Sequence, residues 1–457
     1  MPYRIPIAIV AFLALITFTI INPNAGLDLV ALLLIAFAAA YKIFGDYALL
    51  TLLAIRPTLD YGRDWVVFQT ENFSINLNAA VAIILFLWAI YFFYTERQYA
   101  KNIPLKTPIL IFLGWCALSI IWSFDKSATI TETIKLTNLF ALFGAFFVLR
   151  QKIGAKFSIR LLKVMLAAAI IPLCLAIYQF ITQTGMNIDG ITNRIYGTFA
   201  HPNILATFAL LLIIVITENI IQWKNNILHF TSNISQKTQD YLLITLYSLF
   251  LLILLFTYTR IAWLGLALFL FIIGLVYFRK LLLGAIAAIM LFYIVFYPIN
   301  TWLKNNFGYN LESYSLIARL TSRNEEADSI RWRADVANKV IPLWRERLVL
   351  GYGYGAFPKV WDDNKGMPNI WDNTSEAHND YLKIGFETGV VGLILYLTFF
   401  VGLLYHTIKK SWKKDWTQIV FIASILVFLG MSASDNMLHH TPAIWWLFAW
   451  WGVWRAE

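Results

Sequence analysis

A histidine that opens a helix at the edge of an apolar segment can act as a general base, and the chain has one within Glu376 to Gly392, EAHNDYLKIGFETGVVG. Leu382 and Gly385 follow His378 at i+4 and i+7 on its own face, and the positive end of the helix dipole favours the neutral imidazole that a base requires. A polar helix cap is the plain alternative. Two arginines offer the complementary chemistry, stabilisation of an anion. Arg260 stands at the turning point of FTYTRIAWL between two apolar runs, at membrane depth, where an arginine is costly unless it pairs or lines a polar cavity. Arg194 lies in NRIYGTFAHPN, where Pro202 fits a first helical position, so a span begins near Asn203. That helix start presents free N–H groups to an anion, which makes Arg194 and Asn203 parts of one candidate binding site. Each arginine also reads as an interfacial anchor reaching for lipid head groups. Glu387 is a rival base, but on an ideal helix it lies about half a turn away from His378, and its role is read as structural.

The elements that position these residues are membrane-spanning helices. The chain has 457 residues, 60% hydrophobic and 14% charged, with a mean hydropathy of +0.66. With about 20 apolar residues needed per crossing, spans are read around residues 13, 35, 52, 86, 114, 139, 170, 212, 249, 269, 289, 398, 426 and 447. The pieces at 46–56 and 438–454 are short, and read as crossings or as re-entrant or interfacial segments. The expected fold is all-α, a polytopic integral membrane protein of 12 to 14 transmembrane helices with one large helical extracytoplasmic loop. Residues 1–298 form an N-terminal transmembrane bundle, 299–388 the large loop with His378, and 389–457 the C-terminal transmembrane helices. Cys116 and Cys174 fall in apolar runs and make neither a disulfide framework nor a metal spacing.

Short loops rich in Lys and Arg mark the cytoplasmic side. One alternating set carries Lys42, Arg97, Lys101, Arg150, Lys152, Arg160, Arg279, Lys409 and Lys413, whereas 22–26 and 432–441 carry none. Both termini are therefore expected in the cytoplasm and the candidate residues on the outer side. The first apolar run, Ile5 to Ile21, lacks a small-residue cleavage site and reads as an uncleaved span. The net charge of +10 follows from the loop bias and from contact with anionic lipid, and argues for no nucleic-acid partner. In the large loop, Ser322 and Glu325 form a capping box for a helix from Arg323 to about Ile341, ended by Pro342 and carrying Arg331 and Arg333. GYGYGAF, Gly351 to Phe357, lacks the strand and spacing of a phosphate loop and reads as a tight turn under a helix. His439 and His440 are adjacent, with no H-E-x-x-H and no clustered carboxylates, so neither metal nor cofactor is expected.

From Arg194 onwards the chain resembles the O-antigen ligase family, which takes in O-antigen ligases, O-antigen polymerases and bacterial O-oligosaccharyltransferases. The resemblance rests on R-x-x-G-T-F-x-x-P-N at Arg194 to Asn203 and on an Arg opening a span at Thr259 to Leu264. It rests also on a W-R-A helix followed by G-x-G-x-G-x-F at Arg331 to Phe357, and on H-N-x-x-L with E-x-G-x-x-G at His378 to Gly392. One departure is that the family often carries an Arg several residues before the Trp, where Asp328 stands here and Arg331 adjoins Trp332. The resemblance implies an inverting, metal-independent transfer of a glycan from an undecaprenyl diphosphate-linked donor to a glycolipid or other hydroxyl acceptor, at the outer face of the cytoplasmic membrane. His378 would be the general base, Arg260 and Arg194 would meet the charge of the leaving diphosphate, and Asn203 and Arg331 would help to bind substrate.

A polysaccharide polymerase or a protein O-oligosaccharyltransferase would use the same donor chemistry, and these motifs do not separate them. A transporter or flippase is the reading from another class. Transporters favour paired, interrupted helices with ionisable groups at the membrane midplane, whereas here the charges gather at one face. The topology makes a direct prediction: cysteines placed at Ser329 and Ser375 react with membrane-impermeant thiol reagents in intact cells. Labelling only after lysis would overturn the orientation and the mechanism with it.

Overall fold

The computed structural model describes residues 26–69, 74–188, 191–224, 236–307, 329–364, 376–411 and 418–455. The first apolar run, the capping box at Ser322 and Glu325, and Ser375 lie outside the described residues. The helices are α1 (Gly26–Phe44), α2 (Asp46–Leu59), α3 (Leu77–Thr95), α4 (Lys106–Leu118), α5 (Lys126–Ile153), α6 (Lys156–Thr182), α7 (Pro202–Lys224) and α8 (Gln236–Phe256). They continue with α9 (Arg260–Tyr277), α10 (Arg279–Phe307), α11 (Ser329–Glu346), α12 (Phe357–Asp363), α13 (Asp380–Ser411), α14 (Gln418–Ser432) and α15 (Thr441–Arg455). Among the described residues six helices are long and apolar enough to cross a bilayer, namely α3, α5, α6, α7, α9 and α13, and four shorter apolar helices accompany them. The chain is thus a helical membrane protein.

The fold is helical as expected, with two short antiparallel hairpins in its connections: β1 (Val66–Gln69) with β2 (Ser74–Asn76), and β3 (Met186–Ile188) with β4 (Ile191–Arg194). They sit in polar connections that hydropathy reads only as loops. One expected helix end also differs, and one expected domain boundary lies within a helix. α10 runs through Pro298 to Phe307, so the boundary between 298 and 299 falls inside a helix. α11 runs through Pro342 to Glu346, because Ile341, Leu343 and Trp344 pack into an apolar cluster beyond the proline and offset the one helix bond that it removes.

The core is built on α5 and α15, which pack along each other with α3, α7 and α4 around them. Pro442 to Trp454 of α15 is buried throughout, and so is most of α2. At 1.5 Å per residue these helices are only about 21 to 23 Å long, and they lie inside the protein rather than against lipid. Large apolar side chains face outward elsewhere, among them Ile171, Leu264, Leu281, Ile294 and Val401, as a lipid-facing surface requires.

The two ends of the bundle differ in chemistry. At one end Lys152 meets Glu96 at 2.6 Å, Arg150 bonds Ser158 at 3.0 Å and Arg160 lies over Tyr47 at 4.7 Å. The other end gathers the connections that the loop charges assign to the outer side. Ala200 N donates to Asp60 at 2.8 Å, Arg56 reaches Thr441 at 2.9 Å, and Trp122 Nε1 donates to the Leu350 carbonyl at 3.1 Å. Each contact joins segments far apart in sequence.

A second apolar cluster at that end is made by α11, α12 and the start of α13, with Val336, Val340, Phe357, Trp361, Leu382 and Phe386 buried. It forms because α13 breaks at Gly389 (φ 69°, ψ −178°). A break strands carbonyls on one side and N–H groups on the other, and neighbouring segments take both up. Tyr352 N donates to Phe386 O at 3.1 Å, Gly353 N to Glu387 O at 2.8 Å and Trp115 Nε1 to Thr388 O at 2.9 Å, while Val390 N donates to Leu348 O at 2.8 Å. The GYGYGAF segment therefore spends the N–H groups of Tyr352 and Gly353 on the broken helix. Its three glycines all hold positive φ, 71°, 102° and 82° at Gly351, Gly353 and Gly355.

Gly389 tests this arrangement. A Cβ there would overlap the Val349 carbonyl, and a left-handed residue other than glycine adds roughly 1–2 kcal/mol. Gly389→Ala is expected to lower the melting temperature of the purified protein clearly. Gly284→Ala, at a helical glycine with nothing within 4 Å, is expected to leave it unchanged or to raise it slightly, since alanine is favoured over glycine in a helix by up to about 1 kcal/mol. Equal melting temperatures for the two variants would show that the break carries no structural weight.

Candidate active site

Arg194 closes the second hairpin and is 1% exposed. Gln179 shapes the chain behind it, accepting from Tyr196 N at 3.0 Å and Gly197 N at 2.8 Å, and α7 then begins at Pro202, where a proline lacks only an N–H that would go unused. The guanidinium donates from Nε to the Thr257 carbonyl at 2.9 Å, and from Nη2 to Asn203 Oδ1 and Thr259 Oγ1, both at 3.2 Å. It therefore ties the hairpin to the first turn of α7 and to the α8–α9 connection, where Tyr258 takes φ 53°. Arg260 opens α9 directly after that connection. Its Nε is buried and has no hydrogen-bond partner among the described residues. The two arginines thus differ: Arg194 has donors committed to the protein, and Arg260 has one unspent.

Asn203 hands the connection on. Its Oδ1 takes the Arg194 bond, so its amide nitrogen is the donor to Asp435 Oδ2 at 3.0 Å. Asp435 lies in the link between α14 and α15 with its side chain 3% exposed, and its Oδ1 is 3.4 Å from His378 Nδ1. The three residues singled out by the sequence, Arg194, Asn203 and His378, are therefore joined through a fourth. Arg331 is in α11, and its side chain lies outside the described residues.

His378 is not in the first turn of the helix. It has φ 47°, and Asn379 is the cap, with Oδ1 accepting from Leu382 N at 3.0 Å before α13 starts at Asp380. The helix dipole acts on it from outside rather than along the helix. The ring of Trp332 packs edge-on to the imidazole, 4.9 Å between centroids at 74°, which gives the W-R-A motif a structural reason. Neither imidazole nitrogen completes a hydrogen bond among the described residues, and both are buried. Glu387 is buried away from this pair, accepting the Phe357 N–H at 3.1 Å under the glycine turn.

The electrostatics centre on Asp435. Burial alone would raise its carboxyl, but His440, His378 and Arg333 outweigh burial and hold it well below the usual carboxylate range. His440, with Nε2 at 3.8 Å from Asp435, is pushed down by burial against the pull of that carboxylate. Next to it is a second polar group. Lys383 Nζ meets Glu376 Oε2 at 2.6 Å and His439 Nε2 at 3.1 Å, and Asn436 Nδ2 donates to Glu376 at 3.0 Å. Burial opposes ionisation of Glu376, yet His439 and Lys383 lower it below its ordinary value. Burial and the Lys383 charge both lower His439.

Asp435, Asn436, His440, Trp332, Arg333, Glu376 and Lys383 were not among the expected site residues. A signal for the first three was present in SASDNMLHH, a polar run between two apolar helices with an acid, an amide and two histidines. Among the described residues no three of His, Cys, Asp or Glu are grouped so as to hold a metal ion.

Comparison with known proteins bears on these same residues. No curated protein matches the chain. Residues 245–397 match the family model described as O-Antigen ligase, a stretch that takes in Arg260, Trp332, the glycine turn and His378 and leaves Arg194, Asn203 and Asp435 outside it. Through this stretch the chain is similar to the O-antigen ligase family.

Proposed function

We propose that the protein is a ligase-type glycosyltransferase that moves a glycan from undecaprenyl diphosphate to an acceptor hydroxyl, on lipid A core or a similar glycolipid. The single observation that carries this reading is the line Arg194, Asn203, Asp435, His378, with Arg260 opening the neighbouring helix and holding an unspent donor. Asp435 beside Nδ1 favours the tautomer that leaves the Nε2 lone pair for the acceptor. In the transfer, Nε2 takes the proton of the acceptor hydroxyl and the oxygen attacks the sugar carbon. A new glycosidic bond forms, and the bond to phosphate breaks on the opposite face. One displacement inverts the carbon, and the diphosphate leaves with the bonding electrons. Arg260 is suited to meet that charge, since a guanidinium makes two parallel bonds to phosphate oxygens, while Arg194 adds positive charge from behind and holds the turn that carries Arg260. Positive side chains then do the work of a metal ion. The same reading places 12 to 14 crossings in the cytoplasmic membrane, both termini inside, and the large helical loop with the site outside.

The arginine proposal has a sharp test. Arg260→Ala and Arg260→Lys, assayed with donor lipid at matched protein levels and with a chelator present, are both expected to lose most activity, Lys regaining only a small part, because an ammonium is a hydrated point charge. Wild-type turnover in Arg260→Lys would sink the clamp, and loss of wild-type activity with the chelator would sink metal independence. The losses in Arg194→Ala and Arg260→Ala should be non-additive, as for groups serving one charge.

His378→Ala should stay folded and lose about 10²- to 10⁴-fold in rate, the usual worth of a general base; more than about a tenth of wild-type turnover would leave it a structural role only. Asp435→Asn should lower kcat while leaving the KM for donor near wild type, and add little loss in a His378→Ala background. Wild-type kcat in Asp435→Asn would leave Asp435 a packing role only.

A further inference from the structure

Beside the His378 site, at the same end of the bundle, is a cavity of about 390 Å³ between α2, α3, α5 and α15 that this mechanism does not use. Its size lies within the range of small-molecule pockets, about 300–1,000 Å³. We propose that it is a sugar-binding subsite that holds an uncharged ring of one of the two glycan substrates, an inference that rests on the glycosyl-transfer reading.

Charge balance argues for a neutral ligand. Arg56 is matched by Asp60 at 3.5 Å, and Lys135 by Glu132 at 2.6 Å, so the wall has no surplus of either sign. Around His378 positive groups outnumber the one carboxylate, Asp435: Arg333 and His440 act on it directly and Arg194 reaches it through Asn203. A phosphate is drawn to the second environment and gains little in the first. The neutral cavity still offers donors and acceptors close together, as a ring of hydroxyls requires, because each hydroxyl both donates and accepts. Lys135 spends one N–H on Glu132 Oε1, and Glu132 Oε2 lies 3.9 Å from His439 Nε2. Arg56 is 3% exposed and its Nε has no hydrogen-bond partner among the described residues. Aromatic surface completes the lining, with Trp445 carrying the Arg56 guanidinium 5.2 Å above its ring.

Position links this cavity to the chemistry. Ala200, Ile204 and His439 line it, while their near neighbours Asn203 and His440 face Asp435. The partition between cavity and His378 site is therefore one chain thick. A sugar held in the cavity belongs to the same glycan as the reacting sugar or hydroxyl.

The test reads binding without turnover. Full-length protein in phospholipid nanodiscs is titrated with two probes prepared from the producing cells by mild acid: oligosaccharide freed from the lipid-linked glycans, and core oligosaccharide freed from the envelope glycolipid. Binding is followed by saturation-transfer NMR, with melting temperature as the check on folding. Wild type is expected to bind one of the two, the first marking the donor's glycan and the second the acceptor's. Glu132→Gln and Lys135→Met, at a partly exposed pair (19% and 45%) that tolerates replacement, should each weaken that binding about tenfold, or about 1.4 kcal/mol. His378→Ala should bind like wild type, so a failure of the catalytic reading is told apart from a failure of the subsite. Binding of neither probe, or equal binding by wild type and both variants, would overturn the proposal.

Discussion

A guanidinium buried to the extent of Arg194 is tolerated only if its donors find acceptors, since an unpaired buried charge costs several kcal/mol. Here three acceptors come from two other parts of the chain: the carbonyl of Thr257 and the hydroxyl of Thr259 in the turn before α9, and the amide of Asn203 at the start of α7. None of these elements can shift without leaving the charge unsatisfied. The hairpin, the start of α7 and the turn before α9 consequently behave as one piece. Because Arg194 fixes which end of the Asn203 amide is the acceptor, it also fixes the donor that reaches Asp435. The position of the Asp435 carboxylate beside His378 follows from an arginine that does not touch the histidine.

The second constraint is the backbone of α13. An uninterrupted helix from Asp380 to Ser411 would carry His378 wherever the membrane-embedded part pointed. The break at Gly389 frees the first turns to pack on α11 and α12, and it is stable because the stranded backbone groups pair with the segment around Gly351 and Gly353. This explains why glycines occur on both sides of the contact. At Gly351, Gly353 and Gly389 the two chains approach so closely that a side chain on either would strike the other or its neighbours. The glycine-rich segment thus supports the helix that presents the catalytic candidate, and its amides are not free to cradle a phosphate.

Charges divide the outer end into two environments. The arginine-rich side next to Asp435 and His378 suits a diphosphate, and the balanced side between α2 and α5 suits hydroxyl groups. The link between α14 and α15 runs between them and contributes to both, through His440 on one face and His439 on the other. Since α15 is buried along its length among α5, α7 and α2, this link is held by the core of the protein rather than by mobile surface contacts.

Composition and hydropathy by themselves determined the class of the protein: a 60% hydrophobic chain with 14% charge has too few polar residues to cover a soluble surface. Residue type and local spacing also marked His378, Arg260, Arg194 and Asn203, because a charge or an imidazole at the edge of an apolar run is costly without a reason. Local pattern does not report pairing between distant helices. Asn203 and Asp435 are 232 positions apart and Arg194 and Thr259 are 65 apart, so only the tertiary structure decided that Asp435 completes the line to His378 and that Arg194 is committed while Arg260 is not. The same limit applies to Pro342, which failed to end α11, where packing into the apolar cluster offsets a lost helix bond. It applies also to Glu132, Lys135 and Arg56, which in sequence are separated charges on two helices and in space line one cavity.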